Sequence, residues 1–427
     1  MSYFSSRSLH PRCGMRIGGV SRDKAGKKRK RSMEYIFSDS LADLRPSAIR
    51  EIFKSLGDPE MIAFAAGNPS PEAFPVEFVR SECERILREQ PTVALQYGTT
   101  EGYTPLRRAL TERLRERFSH RRAEDDLIVV TGGEQGIELA CKAVCNPGDA
   151  VLCEEPSFIG ALNSFRSLGA VPVGIPMRQD GLDVDAFEAE AIRTGARLAY
   201  LIPTFQNPSG ITMSEKKRRA VYEIAKKHGI LIIEDNPYGE LRFAGSEVQT
   251  IKSMDEEGVV IYCGSFSKIL APGIRVGFVQ APREVISKMV VAKQVEDVHT
   301  PMLSQMLAHG FMKSGGMDEH IHHAASLYGE KCALMLSCLD RDMPREVSYT
   351  RPEGGLFLWC TYPRQVDIAA LTARLLEEKV AVVPGSAFCS VQGAESHSIR
   401  LNYSTPSREQ IERGVGVLTR VSREVLG

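Results

Sequence analysis

Residues 259–282 read VVIYCGSFSKILAPGIRVGFVQAP. Two apolar runs, 259–266 and 275–282, lack the polar alternation of a half-solvated strand. Both are predicted as strands buried on two faces. Between them, Gly264-Ser265-Phe266-Ser267-Lys268 places a lysine directly after a buried strand, flanked by two hydroxyls. A free lysine has a pKa of about 10.4 and gives up roughly 4–5 kcal/mol to be neutral at pH 7. Burial and nearby cations supply that difference, and a neutral lysine is a Schiff-base nucleophile. Arg275 opens the next strand and suits bidentate phosphate binding. The plain alternative is a surface lysine at a strand end.

Toward the N-terminus, ILIIED (230–235), RLAYLIP (197–203), AVLCEE (150–155) and DLIVVT (126–131) read as further strands. Helical segments separate them: GGEQGIELACKAV, PSFIGALNSFRSLG ending at Gly169, and 213–228. The last is opened by a Thr212-x-x-Glu215 capping box and stopped by Gly229. This βα alternation predicts a mostly parallel sheet wrapped by helices. Earlier still, helices are predicted over 45–56 (Ile49, Ile52 and Phe53 on one face), 76–89 and 103–118, with loops at AAGNPSPEAFP (65–75) and QYGTTEG (96–102). After about 285 a long helical region runs to about 338. Short strands follow within 348–362, 381–385 and 398–404, which reads as a second, smaller α+β unit.

Hydrophobic residues make up 43% and charged residues 25% of the 427, which excludes disorder as the main theme. Lys+Arg 54 balances Asp+Glu 54, which argues against a nucleic-acid partner. No stretch approaches the length of a membrane span. A small molecule bound in a pocket is therefore the expected partner. The ten cysteines have no regular spacing. Cys141 and Cys145 alone approach ligand spacing, and no further Cys or His stands near enough to complete a zinc site. Buried free thiols and the lack of a secretory segment point to a reducing, cytoplasmic compartment. Residues 1–31 hold ten Lys/Arg against Asp23. They read as a solvated, disordered extension, with a nucleic-acid arm, a localisation patch or a transit peptide as alternatives.

Polar residues cluster at three strand ends, QNPSG, EDNPYG and GSFSK, and ligands of open α/β sheets bind at that edge. Asp235 closes an all-apolar strand, and a buried carboxylate needs a cationic partner. No His or carboxylate cluster surrounds it to hold a metal, so a protonated pyridine nitrogen matches better. Tyr238 and Asn207 could hydrogen-bond an oxyanion. Thr131-Gly132-Gly133-Glu134-Gln135-Gly136 follows a strand and opens a helix, which makes a phosphate site. A dinucleotide reading would use Glu154, about twenty residues on, but the pattern is GGxxG rather than GxGxxG. That reading also leaves the lysine segment unexplained.

Together AAGNPSPEAFP, LQYGTTEG, TGGEQG, QNPSG, EDNPYGELRF, SFSKILAPGIRVGF, PEGGLFLW and RLNYS resemble the fold-type I, pyridoxal-phosphate-dependent aminotransferases of class I/II. The likeness covers about 33–427 and is greatest to 2-aminoadipate and broad-range branched-chain or aromatic aminotransferases. It implies an α/β fold with a large domain, 76–300, and a smaller α+β domain, 301–427. Residues 33–75 would pack with the small domain and the active site, after a basic extension over 1–32. By resemblance, Lys268 would hold pyridoxal phosphate covalently and Asp235 would pair with its ring nitrogen. Asn207 and Tyr238 would hold the ring oxygen, and Phe158 would stack where the family often has Tyr. Ser265, Ser267, Arg275 and the Gly133, Glu134 and Gln135 amides would hold the phosphate. Tyr97 would reach the phosphate of a neighbouring subunit, implying a homodimer with shared sites. Arg400 would clamp the substrate carboxylate with Asn207 and Gly67, and Arg50 would meet a distal carboxylate. The implied activity moves an amino group between an L-amino acid and a 2-oxo acid, 2-oxoglutarate being the expected acceptor, by a ping-pong route. Another reaction on the same scaffold, a C–S lyase or decarboxylase, is the alternative. A ligand-sensing regulator would need a winged helix ahead of Met33, and 32 residues are expected to be too few.

Overall fold

The computed structural model describes Tyr35, Phe37, Ser38, Leu41 and residues 58–427. The basic segment 1–32 and the helix predicted over 45–56, with Arg50, lie outside the described residues. The chain enters through β1 (Ile62–Ala63) and three helices, α1 (Val76–Glu89), α2 (Pro91–Leu95) and α3 (Thr104–Phe118). Strands and helices then alternate: β2 (Asp125–Val130), α4 (Gly133–Val144), β3 (Ala150–Glu155), α5 (Ile159–Ser167), β4 (Val171–Arg178), β5 (Gly181–Leu182), α6 (Val184–Thr194), β6 (Leu198–Leu201), α7 (Glu215–His228), β7 (Leu231–Asp235), β8 (Val260–Ser265) and β9 (Gly277–Pro282). These eight strands form one sheet in the order β2-β9-β8-β7-β6-β3-β4-β5. The run β8-β7-β6-β3-β4 is parallel, and β9, β2 and β5 pair antiparallel with their neighbours.

The central strands are apolar throughout because both faces are covered. Leu198 and Tyr200 of β6 pack in one core with α4, α5 and α8 (Arg283–Glu296), while Ala199 and Leu201 pack in a second core with α6 and α7. That is the two-residue alternation of a strand with no polar face left over. The predicted capping box at α7 does not form. Ser214, not Thr212, is the N-cap residue; it makes no cap bond, and its hydroxyl donates to Asp180 Oδ2 at 3.1 Å. Gly229 does end the helix, at φ 67°. Strand β4 has no counterpart in the sequence prediction. It carries Pro172 and Pro176, is half-exposed, and is paired on its outer side only at Met177 and Arg178, so both prolines lie where the strand is an edge and proline is tolerated.

Helices α9 (Met302–Lys313) and α10 (Met317–Asp342) follow, with His322 and His323 exposed on α10 as a solvated face. The smaller sheet comes next, with β10 (Ser348–Tyr349), β11 (Phe357–Thr361), α11 (Ile368–Glu377), β12 (Val380–Ala381), β13 (Val383–Pro384), β14 (Ser398–Asn402) and α12 (Arg408–Leu426). It runs β10-β11-β14-β13, all antiparallel, while β1 pairs parallel with β12 and ties the entering chain to this unit. The nine described cysteines are all free; Cys83 and Cys145 are part-exposed and the other seven buried.

Candidate active site

A cavity opens at the C-terminal ends of β6, β7 and β8, beside the start of α4 and under β14 of the smaller sheet. Lys268 enters it from the turn after β8, and its Nζ donates to the Gly67 carbonyl at 2.7 Å. Burial, then the nearby charges of Arg400 and Arg275, push the Lys268 ammonium down to about 8. Ser265 and Ser267 line the same wall, and the Ser267 amide donates to Ser265 Oγ at 3.0 Å.

Arg275 sits at φ 53° before β9, and its guanidinium donates to the Thr131 and Pro272 carbonyls at 3.2 and 3.3 Å. Two glycines permit this approach. Gly132 has φ +84°, and a Cβ there would lie 2.2 Å from Arg275 Nη2. A Cβ on Gly277 would lie 2.8 Å from the backbone of both Gly132 and Gly133. Gly133 and Glu134 line the cavity at the N-terminus of α4, where free amides and the helix dipole favour an anion. Glu134 is raised by burial and accepts from Ser164 Oγ at 3.1 Å. Gln135 is placed elsewhere. Its amide N–H donates to the Gly132 carbonyl at 3.2 Å, and its side chain binds Thr131 and Lys293 rather than the cavity.

Asp235 ends β7 and accepts one hydrogen bond, from the Tyr200 hydroxyl at 2.7 Å. Burial pushes its carboxyl up to about 7, against the lowering effect of that bond, and Glu134 adds to the rise. Among the described residues it has no ion-pair partner. Tyr200 was not anticipated. It pairs in register with Ile233, so it shares a face with Asp235 two residues on, and only that register reveals it. The Tyr238 hydroxyl accepts from Asn207 Nδ2 at 3.4 Å, and burial holds the phenol above its ordinary range.

Arg400 stands in the middle of β14, opposite Trp359 on one side and Val383 on the other. It is 2% exposed. Its Nη1 donates to Asn207 Oδ1 at 3.0 Å and its Nη2 to the Ala65 carbonyl at 2.9 Å, while its buried Nε has no partner. Its guanidinium carbon lies 4.2 Å from the Phe357 ring centre and 5.0 Å from that of Phe388. Burial lowers it to about 10. No carboxylate pairs with it among the described residues. Phe158, at the N-cap of α5, also lines the cavity, as does Gly67.

Tyr97 lies outside the cavity, 81% exposed, with its ring edge against His299 at 5.8 Å. Glu154, the residue a dinucleotide reading would use, is fully buried beneath the sheet edge. Its Oε2 accepts from the Ile202 amide at 3.0 Å and Gln206 Nε2 at 3.2 Å, and it does not line the cavity. The donor set fits pyridoxal phosphate: amides, hydroxyls and a guanidinium at the start of α4, an unpaired buried carboxylate at the end of β7, and a half-buried lysine in the same cavity. Among the described residues no group of three His, Cys, Asp or Glu could hold a metal ion.

The profile of the family described as aminotransferase class I and II matches residues 59–418. The chain is 39% identical to an aromatic-amino-acid aminotransferase 1 of Thermococcus litoralis, over 92% of this chain and 95% of that one. It is 40% identical to a 2-aminoadipate transaminase of Thermus thermophilus, over 92% and 98%. Among solved structures it resembles the alpha-aminoadipate aminotransferase of Thermus thermophilus, complexed with N-(5'-phosphopyridoxyl)-L-leucine. The TM-score is 0.84 at 39% identity, covering 91% of this chain and 98% of that one.

Proposed function

The chain belongs to the class I and II aminotransferases, fold-type I enzymes that use pyridoxal phosphate to move an amino group between an amino acid and a 2-oxo acid; on that premise we propose the residue roles and substrate range that follow. When bound, pyridoxal phosphate supplies an electron sink for the pair left behind as a proton leaves the amino-acid Cα. The chain's own residues do the rest. The Gly133 amide, Ser265, Ser267 and Arg275 hold the phosphate at the start of α4. Asp235, oriented by Tyr200, would accept a hydrogen bond from the protonated ring nitrogen, and that cation would stabilise its buried charge. Tyr238 and Asn207 hold the ring oxygen, and Phe158 covers the ring face.

Lys268 would hold the cofactor through Nζ, and the same Nζ would carry the α-proton. With its pKa lowered to about 8, roughly a tenth of the amine is neutral at pH 7. At the ordinary value of about 10.4 the neutral share would be about one part in 2,500.

One observation carries this reading. Arg400 is buried beside Lys268 with an unpartnered Nε and no carboxylate of its own. A guanidinium stripped of water awaits an anion, and an amino-acid carboxylate takes it bidentately. The three cations lining the cavity, Lys268, Arg275 and Arg400, are then all engaged, and Phe158 and Phe357 flank the remaining space. The described cavity therefore suits apolar and aromatic side chains, and a distal carboxylate would need Arg50. The test is a donor screen with purified protein and 2-oxoglutarate, followed at the cofactor absorbance. Ammonia release without an oxo-acid acceptor would show a lyase instead.

A homodimer with shared sites is part of the proposal. Leu95, Tyr97, Val295 and Val298 expose apolar surface on the segments that meet at His299. Such a patch is covered by association. We also place the enzyme in the cytoplasm, a reading supported by its free cysteines. Among the described residues no helix is long and apolar enough to cross a membrane.

A further inference from the structure

Lys293 is 0% exposed on α8 and takes no part in the roles above. Burying an ammonium is costly unless every proton finds a partner. Here Nζ donates to Gln135 Oε1 at 2.6 Å, to Asp297 at 2.8 and 3.0 Å, and to Thr131 Oγ1 at 3.4 Å. The partners are themselves cross-linked. The Thr131 hydroxyl donates to Asp297 at 2.7 Å, Gln135 Nε2 donates to Asp297 at 2.9 Å, and Gln135 Oε1 accepts the Thr131 amide at 2.8 Å. The opposite side of Thr131, its carbonyl, is held by Arg275 at 3.2 Å. So the turn 131–135 is fixed on one side by the arginine and on the other by Lys293 with Asp297.

We propose that Lys293, with Asp297, is a positioning pair that sets the phosphate-binding turn Thr131–Gln135 and so tightens the grip on the cofactor phosphate without touching it. The inference rests on that turn being the phosphate site of the proposed function. A charge-assisted array of this kind pre-organises donors that would otherwise have to order on binding. The same loop reaches the dimer-facing segment, because His299 Nε2 accepts the Gly98 amide at 3.2 Å and Thr300 Oγ1 meets Thr131 Oγ1 at 3.1 Å.

The test compares two ligands, pyridoxal phosphate and pyridoxal, which shares the reactive carbonyl and lacks the phosphate. Both are titrated into cofactor-stripped full-length wild type and Lys293→Met, with dissociation constants read from cofactor absorbance. Wild type should prefer the phosphorylated ligand. Lys293→Met should weaken pyridoxal phosphate about tenfold and pyridoxal less than about twofold, from loss of a charged hydrogen-bond network. Equal losses for both ligands would make Lys293 a general packing residue, and no loss for either would also overturn the proposal. If Lys293→Met does not fold, Thr131→Val breaks the same network outside the buried helix, and the same ratio decides. Failure of wild type to bind pyridoxal phosphate would instead reject the functional reading beneath it.

Discussion

Tyr200→Phe removes one oxygen from the interior and nothing else. Its hydroxyl and the Asp235 carboxylate are both buried, 2.7 Å apart, and this is the one hydrogen bond Asp235 accepts among the described residues. Hydrogen bonds to a buried charged group contribute about 1.5–3 kcal/mol. The bond lowers the carboxyl, so its loss moves Asp235 further up from about 7, and the more basic carboxylate competes for the proton that should stay on the ring nitrogen. About 1.5–3 kcal/mol corresponds to roughly a 10- to 150-fold change. The expected result is a fall in kcat of that order with a smaller change in KM, measured with a good donor under saturating cofactor. Lys268 should still form its covalent link, visible as the cofactor absorbance band. A Tyr200→Phe enzyme with wild-type kcat and an unchanged pH profile would show that Asp235 needs no orienting partner, and the reasoning would fall.

Lys268→Ala should abolish turnover and the covalent cofactor band, since a positioned proton-transfer group alone contributes about 10²–10⁴-fold; near-normal activity would reject the assignment. In cofactor-free protein Asp235 sits near 7, above the unfolded value, so the folded state holds an extra proton over a window of about pH 4–7. This site's stabilisation is complete below about pH 4 and is lost as pH rises through 7. Asp235→Asn should therefore flatten the loss of melting temperature across that window, and an unchanged slope would place the titration elsewhere. Mixing Tyr97→Ala with Lys268→Ala subunits should restore activity, because one site in each heterodimer lacks both changes; no recovery after proven exchange argues against shared sites. Arg50→Ala should lower activity with glutamate or 2-aminoadipate about 10- to 100-fold more than with leucine, from one charged hydrogen bond; equal losses leave Arg50 structural.

Where burial alone decided an element, its bounds could be read directly. β3 spans Ala150–Glu155 and α1 spans Val76–Glu89, both as predicted, because a two-faced apolar strand and an amphipathic helix each leave a clear period. Strand β4 escaped because its two prolines and exposed residues break the pattern. Helices α6, α11 and α12 were not singled out, although Asp183, Asp367 and Ser407 each cap one. At α7 two hydroxyls lie two residues apart, and geometry rather than motif chose between them. The site followed the same division. Lys268 and Asp235 stood out because a charge directly after an apolar strand has few structural explanations. Tyr200 was not singled out within the strand 197–203, since its partner is 35 residues away and set by strand register. Phe357 and Phe388 meet Arg400 because β11 pairs beside β14 and the turn after β13 brings Phe388 back against it.

The crowding at the start of β9 divides the protein into positions that can drift and positions that cannot. Gly277 is surrounded on the side a Cβ would occupy by main-chain atoms of residues 132, 133 and 264, which cannot rotate aside. Gly132 is barred twice over, by its backbone angle and by Arg275. Any randomised library should recover glycine at both, whatever substrate is used for selection. Phe158 and Phe357 carry no such backbone constraint, so a lineage or an engineer seeking a new amino donor would find its freedom there, while the anion-binding corner stays the same.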